Sequence, residues 1–154
     1  MNWILQLQII GEIGLSAFLA GLIGFEREVA DKPAGLRTHM LVGASATLLV
    51  ALGNFVVSEF DFPEFVQTDP IRIIEAIIVG ISFLGAGTIL QREREGRVEG
   101  LTTSASLLAV AAIGISVALR LFVLSIATTV LILIVNRALN WFGIWLNKRV
   151  NGGD

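Results

Sequence analysis

The sequence predicts an all-α integral membrane protein of five transmembrane helices, with the N-terminus outside and the C-terminus in the cytoplasm. Three observations lead there. The 154-residue chain is 55% apolar and 16% charged, with a mean hydropathy of +0.80, which is more hydrocarbon than a soluble domain of this size can bury in its own core. The apolar residues gather into four long runs, the last of which, from Leu101 to Val135, carries no charge in 35 residues except Arg120. The Lys and Arg residues between the runs fall almost entirely on one side of the membrane once that last run is read as two crossings.

Each element follows from local chemistry. The first span, 3–25, is interrupted only by Gln6, Gln8 and Glu12. No Lys or Arg precedes Arg27, the wrong charge pattern for a cleavable signal peptide, so it reads as a retained span. The second, 38–57, contains no Asp, Glu, Lys or Arg. Pro70 suits the first turn of the third, 71–90, because its fixed φ and missing donor cost nothing there. A single helix over the last run would extend about 50 Å, far more than the roughly 30 Å of hydrocarbon. Two spans, 101–118 and 121–142, with a tight turn near Arg120 fit better. Residues 1–145 form the membrane domain and 146–154 a short cytoplasmic tail.

Orientation comes from the basic residues. Arg27, Lys32 and Arg37 lie in the first loop, Arg92, Arg94 and Arg97 in the third, and Arg137, Lys148 and Arg149 at the C-terminal end, against only Arg72 and Arg120 on the opposite side. Such an excess marks the cytoplasmic face. The segments ending Gly35-Leu36-Arg37-Thr38 and Gly100-Leu101-Thr102-Thr103 echo each other, as a parallel internal repeat or as two hairpins of similar chemistry.

Small residues mark faces where membrane helices pack closely. Gly14, Ala17, Gly21 and Gly24 share an arc of span one; Ala76, Gly80 and Gly87 do so on span three, and Ala105, Ala109, Ala112 and Ser116 on span four. Spans one, three and four are therefore expected to form the packed centre. Span five, rich in Leu, Ile and Val, is expected at the periphery or in an oligomer contact, with Trp141 and Trp145 at the cytoplasmic interface.

At Gly21-Leu22-Ile23-Gly24-Phe25-Glu26-Arg27-Glu28 and Pro33-Ala34-Gly35-Leu36-Arg37-Thr38-His39 the chain resembles the membrane domain of the MgtC/SapB family. The likeness continues through Gly80-Ile81-Ser82-Phe83-Leu84-Gly85-Ala86-Gly87-Thr88-Ile89 and Val98-Glu99-Gly100-Leu101-Thr102-Thr103-Ser104-Ala105-Ser106-Leu107, in the family's order, over nearly the whole chain. The resemblance implies a bacterial inner-membrane protein linked to growth at low magnesium and, in pathogens, to virulence inside host cells. It also implies a regulator of other membrane proteins, including the ATP synthase, more than a magnesium transporter. Many members add a soluble C-terminal ACT-type domain, which this sequence does not include. The family's third span usually has Gln at the place of Ala76 and Gly at the place of Ser82, so a polar function of that face is not carried over.

Several residues are candidates for function. Glu26 and Arg37 sit at the edges of spans one and two, where a carboxylate and a guanidinium can lock a hairpin, with an extension to Arg94. The alternative is an ordinary solvated loop. Arg27, Pro33, Gly35, Leu36, Thr38, Gly80, Gly85, Gly87, Gly100, Thr102 and Thr103 are the remaining motif positions. His39 is either an interfacial anchor or a pH-sensitive group. Glu12, midway along span one, and Glu75, nearer the outer surface, are intramembrane ionisable candidates. Glu12 reads as a proton or cation ligand, or as a protonated or Gln-paired packing residue. Glu59, Asp61, Glu64 and Asp69, interleaved with Phe60, Phe62 and Phe65, offer the hard oxygens that magnesium prefers but match no ordered ligand loop. A metal ligand set is left unassigned, and no cofactor is expected.

A net charge of -2 gives no reason to expect a nucleic-acid partner, and a chain without Cys has no thiol chemistry. No nucleophile, base and ligand constellation points to an enzyme. The partners expected are the lipid bilayer, another membrane protein, and a second copy meeting small-residue faces. The leading functional reading is a membrane regulator acting through helix contacts; the alternative is a cation transporter or channel subunit carrying magnesium or protons.

Overall fold

The computed structural model describes residues 3–59, 70–90 and 100–151, with side chains at 3–58, 71–89 and 100–138. Within these, five α-helices follow one another: α1 (Trp3–Val29), α2 (Leu36–Glu59), α3 (Pro70–Leu90), α4 (Leu101–Ala118) and α5 (Phe122–Asn151). The first four are long and apolar enough to cross a membrane, and the apolar part of α5 runs from Phe122 to Ala138. This is a five-helix membrane protein, built as the long uncharged run divided at Arg120 requires. Helix α5 continues to Asn151, through the segment expected as a tail.

The two hairpin turns are made the same way. After α1, Lys32 N–H donates to Arg27 O (3.0 Å) and Asp31 N–H to Glu28 O (3.1 Å), with Asp31 left-handed at φ 53°. After α4, Leu121 N–H donates to Ser116 O (2.9 Å) and Arg120 N–H to Val117 O (2.8 Å), with Arg120 left-handed at φ 61°. Both are Schellman caps, which satisfy the last carbonyls of a helix through one left-handed residue. Glycine is the usual occupant, so an Arg there carries a backbone cost. Glycine is indispensable at the start of α4. Gly100 has φ 96°, and a Cβ on it would lie 2.7 Å from Thr88 O.

Helices α1, α2 and α4 pack against one another, α3 lies on α2 and α4, and α5 lies on α1 and α4. The centre therefore contains α2 where the sequence suggested α3. The reason is visible on α3. Its bundle side is Ile73, Ile74, Ile77 and Ile81 with Gly85, while Ala76, Gly80 and Gly87 are exposed and a Cβ on Gly80 or Gly87 would meet nothing within 4 Å. Branched aliphatics outcompete small residues for that contact. On α1 Gly21 and Gly24 are buried as expected, Ala17 is half-buried and Gly14 is exposed. Helix α4 is enclosed on most sides, although Ala105 and Ala112 of its expected stripe are exposed. Helix α5 is peripheral, and its buried hydroxyls Ser125 and Thr129 bond back to Leu121 O and Ser125 O of their own helix.

The closest crossing joins α1, α2 and α4. A Cβ on Gly43 would fall 2.8 Å from that of Ala20, and one on Gly114 would strike Gly43 O. The absence of side chains lets the backbones meet, so Thr47 Oγ1 donates to Gly114 O at 2.8 Å across the interface. Such bonds contribute about 0.6–2 kcal/mol between membrane helices. Gly114→Val is expected to destabilise the bundle by about 1–3 kcal/mol through overpacking, whereas Gly80→Val stays within about 0.5 kcal/mol. Reversible denaturant unfolding in mixed micelles measures both.

Candidate functional site

The polar side chains collect at two levels of the bundle. One lies beside the α1–α2 turn. Arg27, 2% exposed, is held by its own neighbour: its Nε donates to Glu26 Oε2 at 2.6 Å and Nη2 to Glu26 Oε1 at 2.7 Å. A bidentate pair of this kind is among the stronger charge-assisted contacts. Asn136 Nδ2 of α5 donates to the same Glu26 Oε2 at 3.1 Å, tying α5 to α1.

His39, fully buried on the first turns of α2, faces α4. Its Nδ1 lies 2.9 Å from Gly35 O and its Nε2 3.0 Å from Ser106 Oγ, while Ser106 Oγ also lies 2.8 Å from Thr103 O. A carbonyl only accepts, so Nδ1 carries a proton. Ser106 then has two hydroxyl roles: it donates to Nε2 of a neutral ring, or accepts from an imidazolium and donates to Thr103 O. Either way the ring joins α2 to α4. Glu28 completes this end by accepting from Leu36 N–H at 2.8 Å, which satisfies a free donor at the N-terminus of α2 and puts negative charge where the helix dipole favours it.

The other level lies beside the α4–α5 turn. Glu12, 8% exposed, accepts from Gln8 Nε2 at 3.0 Å, and Arg120 Nε stands 3.4 Å from the same Oε1. Glu12, well inside α1, stands level with the end of α4, where Arg120 approaches it.

The expected pair of Glu26 with Arg37 does not form. Arg37 is exposed, and Arg27 and Asn136 take the carboxylate. Pro33 and Thr38 are also exposed, Gly35 and Leu36 half-buried. Thr103 is buried and Thr102 exposed; Gly85 is buried against Ser104, and Gly100 is half-buried. Glu75 is exposed. Arg94 and the carboxylates Asp61, Glu64 and Asp69 lie outside the described residues, as does the side chain of Glu59. Among the described residues no three His, Cys, Asp or Glu side chains gather as a metal site.

Sequence reasoning missed Ser106, Asn136 and Glu28. A lone amide in the apolar part of α5 was the available sign for Asn136, since polar side chains in spans usually bond across helices. Ser106 had no local sign, because its partner lies 67 residues away.

Comparison with known proteins places this arrangement. Residues 13–144 match the profile of the MgtC family, a range that takes in the contacts of Glu26, Arg27, His39, Ser106 and Asn136 and begins just after Glu12. The chain belongs to the MgtC family. It is 36% identical over 121 residues to a protein of Escherichia coli strain K12 named "Putative magnesium transporter YhiD", covering 79% of this chain and 55% of that protein. It is 30% identical over 143 residues to Protein SapB of Bacillus subtilis, covering 92% and 60%, and 38% identical over 122 residues to Protein MgtC of Brucella abortus, covering 79% and 47%. The chain thus spans roughly half the length of these curated relatives. No solved structure matches it.

In this MgtC-family bundle, Glu26→Ala is expected to cost about 3–5 kcal/mol, because it leaves the Arg27 guanidinium buried without its carboxylate. Ser106→Ala is expected to cost about 1–3 kcal/mol through an unsatisfied His39 nitrogen. Arg37→Ala, at an exposed position, stays within about 0.5 kcal/mol. Ranking the three variants by unfolding midpoint in micelles tests the assignment.

Proposed function

We propose that this chain is the membrane domain of a bacterial plasma-membrane protein that serves magnesium homeostasis by helix contacts with another membrane protein. In this reading the N-terminus is outside, the rim of Glu26, Arg27 and His39 faces the cytoplasm, and growth at low magnesium, including within a host, is the condition that needs it. The magnesium link rests on the name carried by the Escherichia coli relative.

The observation that carries the contact mechanism is the outer face of α3. A helix that only meets lipid gains nothing from small residues. Yet α3 turns Ala76, Gly80 and Gly87 outward around an 80% exposed Phe83, and only 11% of its apolar window is buried. Close packing with a further helix makes use of that pattern. The buried charges, by contrast, have partners: Arg27 is held by Glu26, and Glu12 lies 3.4 Å from the exposed Arg120.

A second reading, cation transport, draws on the buried carboxylate of Glu12. Two measurements separate them. A photo-crosslinker at Val79 in native membranes at low magnesium is expected to capture a membrane protein, while one at exposed Leu131 of α5 does not. Gly80→Val lowers that capture at least about 10-fold, as a packing loss near 1.4 kcal/mol requires. Magnesium or proton uptake into proteoliposomes, abolished by Glu12→Gln, would decide for transport.

A further inference from the structure

The two hairpins of the bundle repeat one another closely. In the first, His39 N–H donates to Gly35 O at 3.2 Å, and an added Cβ would lie 2.8 Å from His39 Cβ at Gly24 and 2.6 Å from Glu28 Oε2 at Gly35. In the second, Ser104 N–H donates to Gly100 O at 2.8 Å, and an added Cβ would strike Ser104 Oγ at Gly85 and lie 3.3 Å from Ile89 Cα at Gly100. Gly85, Ile89, Gly100 and Ser104 thus hold the places of Gly24, Glu28, Gly35 and His39, and the echo in the sequence is a parallel repeat.

The repeat extends to the contacts between helices. Exchanging α1 with α3 and α2 with α4 turns each neighbour pair into another: α1 lies on α2 and α4, and α3 lies on α4 and α2. Helix α5 has no such counterpart. It lies on α1 and α4, so the matching position is the outer cleft of α3 and α2, which no described helix enters.

The seat that α5 fills and the one left open correspond residue by residue. On α1, Leu19, Ile23 and Glu26 share one face; Leu19 is 5% and Ile23 0% exposed, and Glu26 accepts from Asn136 of α5. At the same distances along the chain from Gly85 as these have from Gly24 stand Gly80, Leu84 and Gly87. Leu84 is 51% exposed, and a Cβ on Gly80 or Gly87 would meet nothing within 4 Å. The α2 wall of the cleft is Leu49, 48% exposed and one turn from Gly53, where an added Cβ would strike Ile73 of α3.

We propose that the cleft of α2 and α3 is a second helix seat, and that the partner fills it with one uncharged transmembrane helix whose Leu, Ile or Val side chains settle over Gly80 and Gly87. This rests on the helix-contact function and gives that contact a place and a chemistry. In the filled seat Glu26 binds an amide of the incoming helix; in the open one Gly87 takes its place and offers no carboxylate to an amide or a cation. A charged group entering there would lie in hydrocarbon without a counterion. What the open seat does offer is depth. Two outward glycines let a helix backbone approach closely and receive large side chains from it, which is the contact that holds membrane helices together.

Photo-crosslinkers at Leu49 and at Leu84, placed in the full chain in native membranes at low magnesium, test it. Both are expected to capture the protein that Val79 captures, at a site that mass spectrometry maps to an uncharged span of that protein. One at Ile78, on the face of α3 that carries Gly85 and meets α4, captures none. Gly87→Leu fills the seat and abolishes capture from Leu49, while Ala86→Leu, on a different face, leaves it unchanged; both keep the wild-type unfolding midpoint in micelles. Should Gly87→Leu fail to fold, the contrast of Leu49 with Ile78 still decides. Capture from Val79 without capture from Leu49 would overturn the seat and leave the helix-contact function standing, whereas no capture from any of these positions would overturn both. Capture of a second copy through its α5, or a crosslink mapped to a loop or a charged span, would overturn the occupant assigned to the seat.

Discussion

The close approach of α1, α2 and α4 is the constraint on which the rest of this bundle depends. In hydrocarbon, helices gain little by hiding apolar surface from one another, so their association rests on contact distance and on a few interhelical hydrogen bonds. At the crossing of Gly43 with Ala20 and Gly114 both are supplied at once: backbones meet, and Thr47 reaches a carbonyl of the neighbouring helix. The buried positions of Ser106, His39 and Arg27 follow from that crossing, because they lie on the same three helices one to three turns away.

Burial then decides which charges the structure can hold. A guanidinium enclosed as fully as that of Arg27 needs its counterion in hydrogen-bonding contact, and the adjacent Glu26 supplies it without recruiting another helix. Asn136 converts this local pair into a link with α5. The result is a rim whose polar atoms are engaged across four helices through His39, Ser106, Glu26 and Asn136, while Arg37 remains in the open.

Much of the architecture was legible in the sequence. The length limit on a span split the run after Leu101, and the turn falls at Arg120, where the division was expected. Family blocks pointed to the Glu26 to His39 segment, in which Arg27 and His39 are buried while Arg37 and Thr38 are exposed. What the sequence hid was direction. Small residues on α3 looked like a packing face, but the isoleucines on its other side took that role. The carboxylate of Glu26 had several cations within reach along the chain. Helical periodicity would not have singled out Arg27, its immediate neighbour, since pairs at i,i+1 do not ordinarily face each other; the burial of its guanidinium does. Contacts such as His39 with Ser106 depend on the register between helices, which no local pattern encodes.

The helices differ in length, and the bilayer must respond. Eighteen residues give α4 a rise of about 27 Å, while the twenty-seven of α1 rise about 40 Å. A hydrocarbon layer near 30 Å cannot match both, so lipid thins around the short hairpin or the long helix tilts, each at a modest elastic cost per ångström. The end of α4, where Arg120 follows the cap at Leu119, is thus the place where this mismatch is felt. Membrane thickness, and the lipid composition that governs it, becomes a variable to which the hairpin is mechanically coupled.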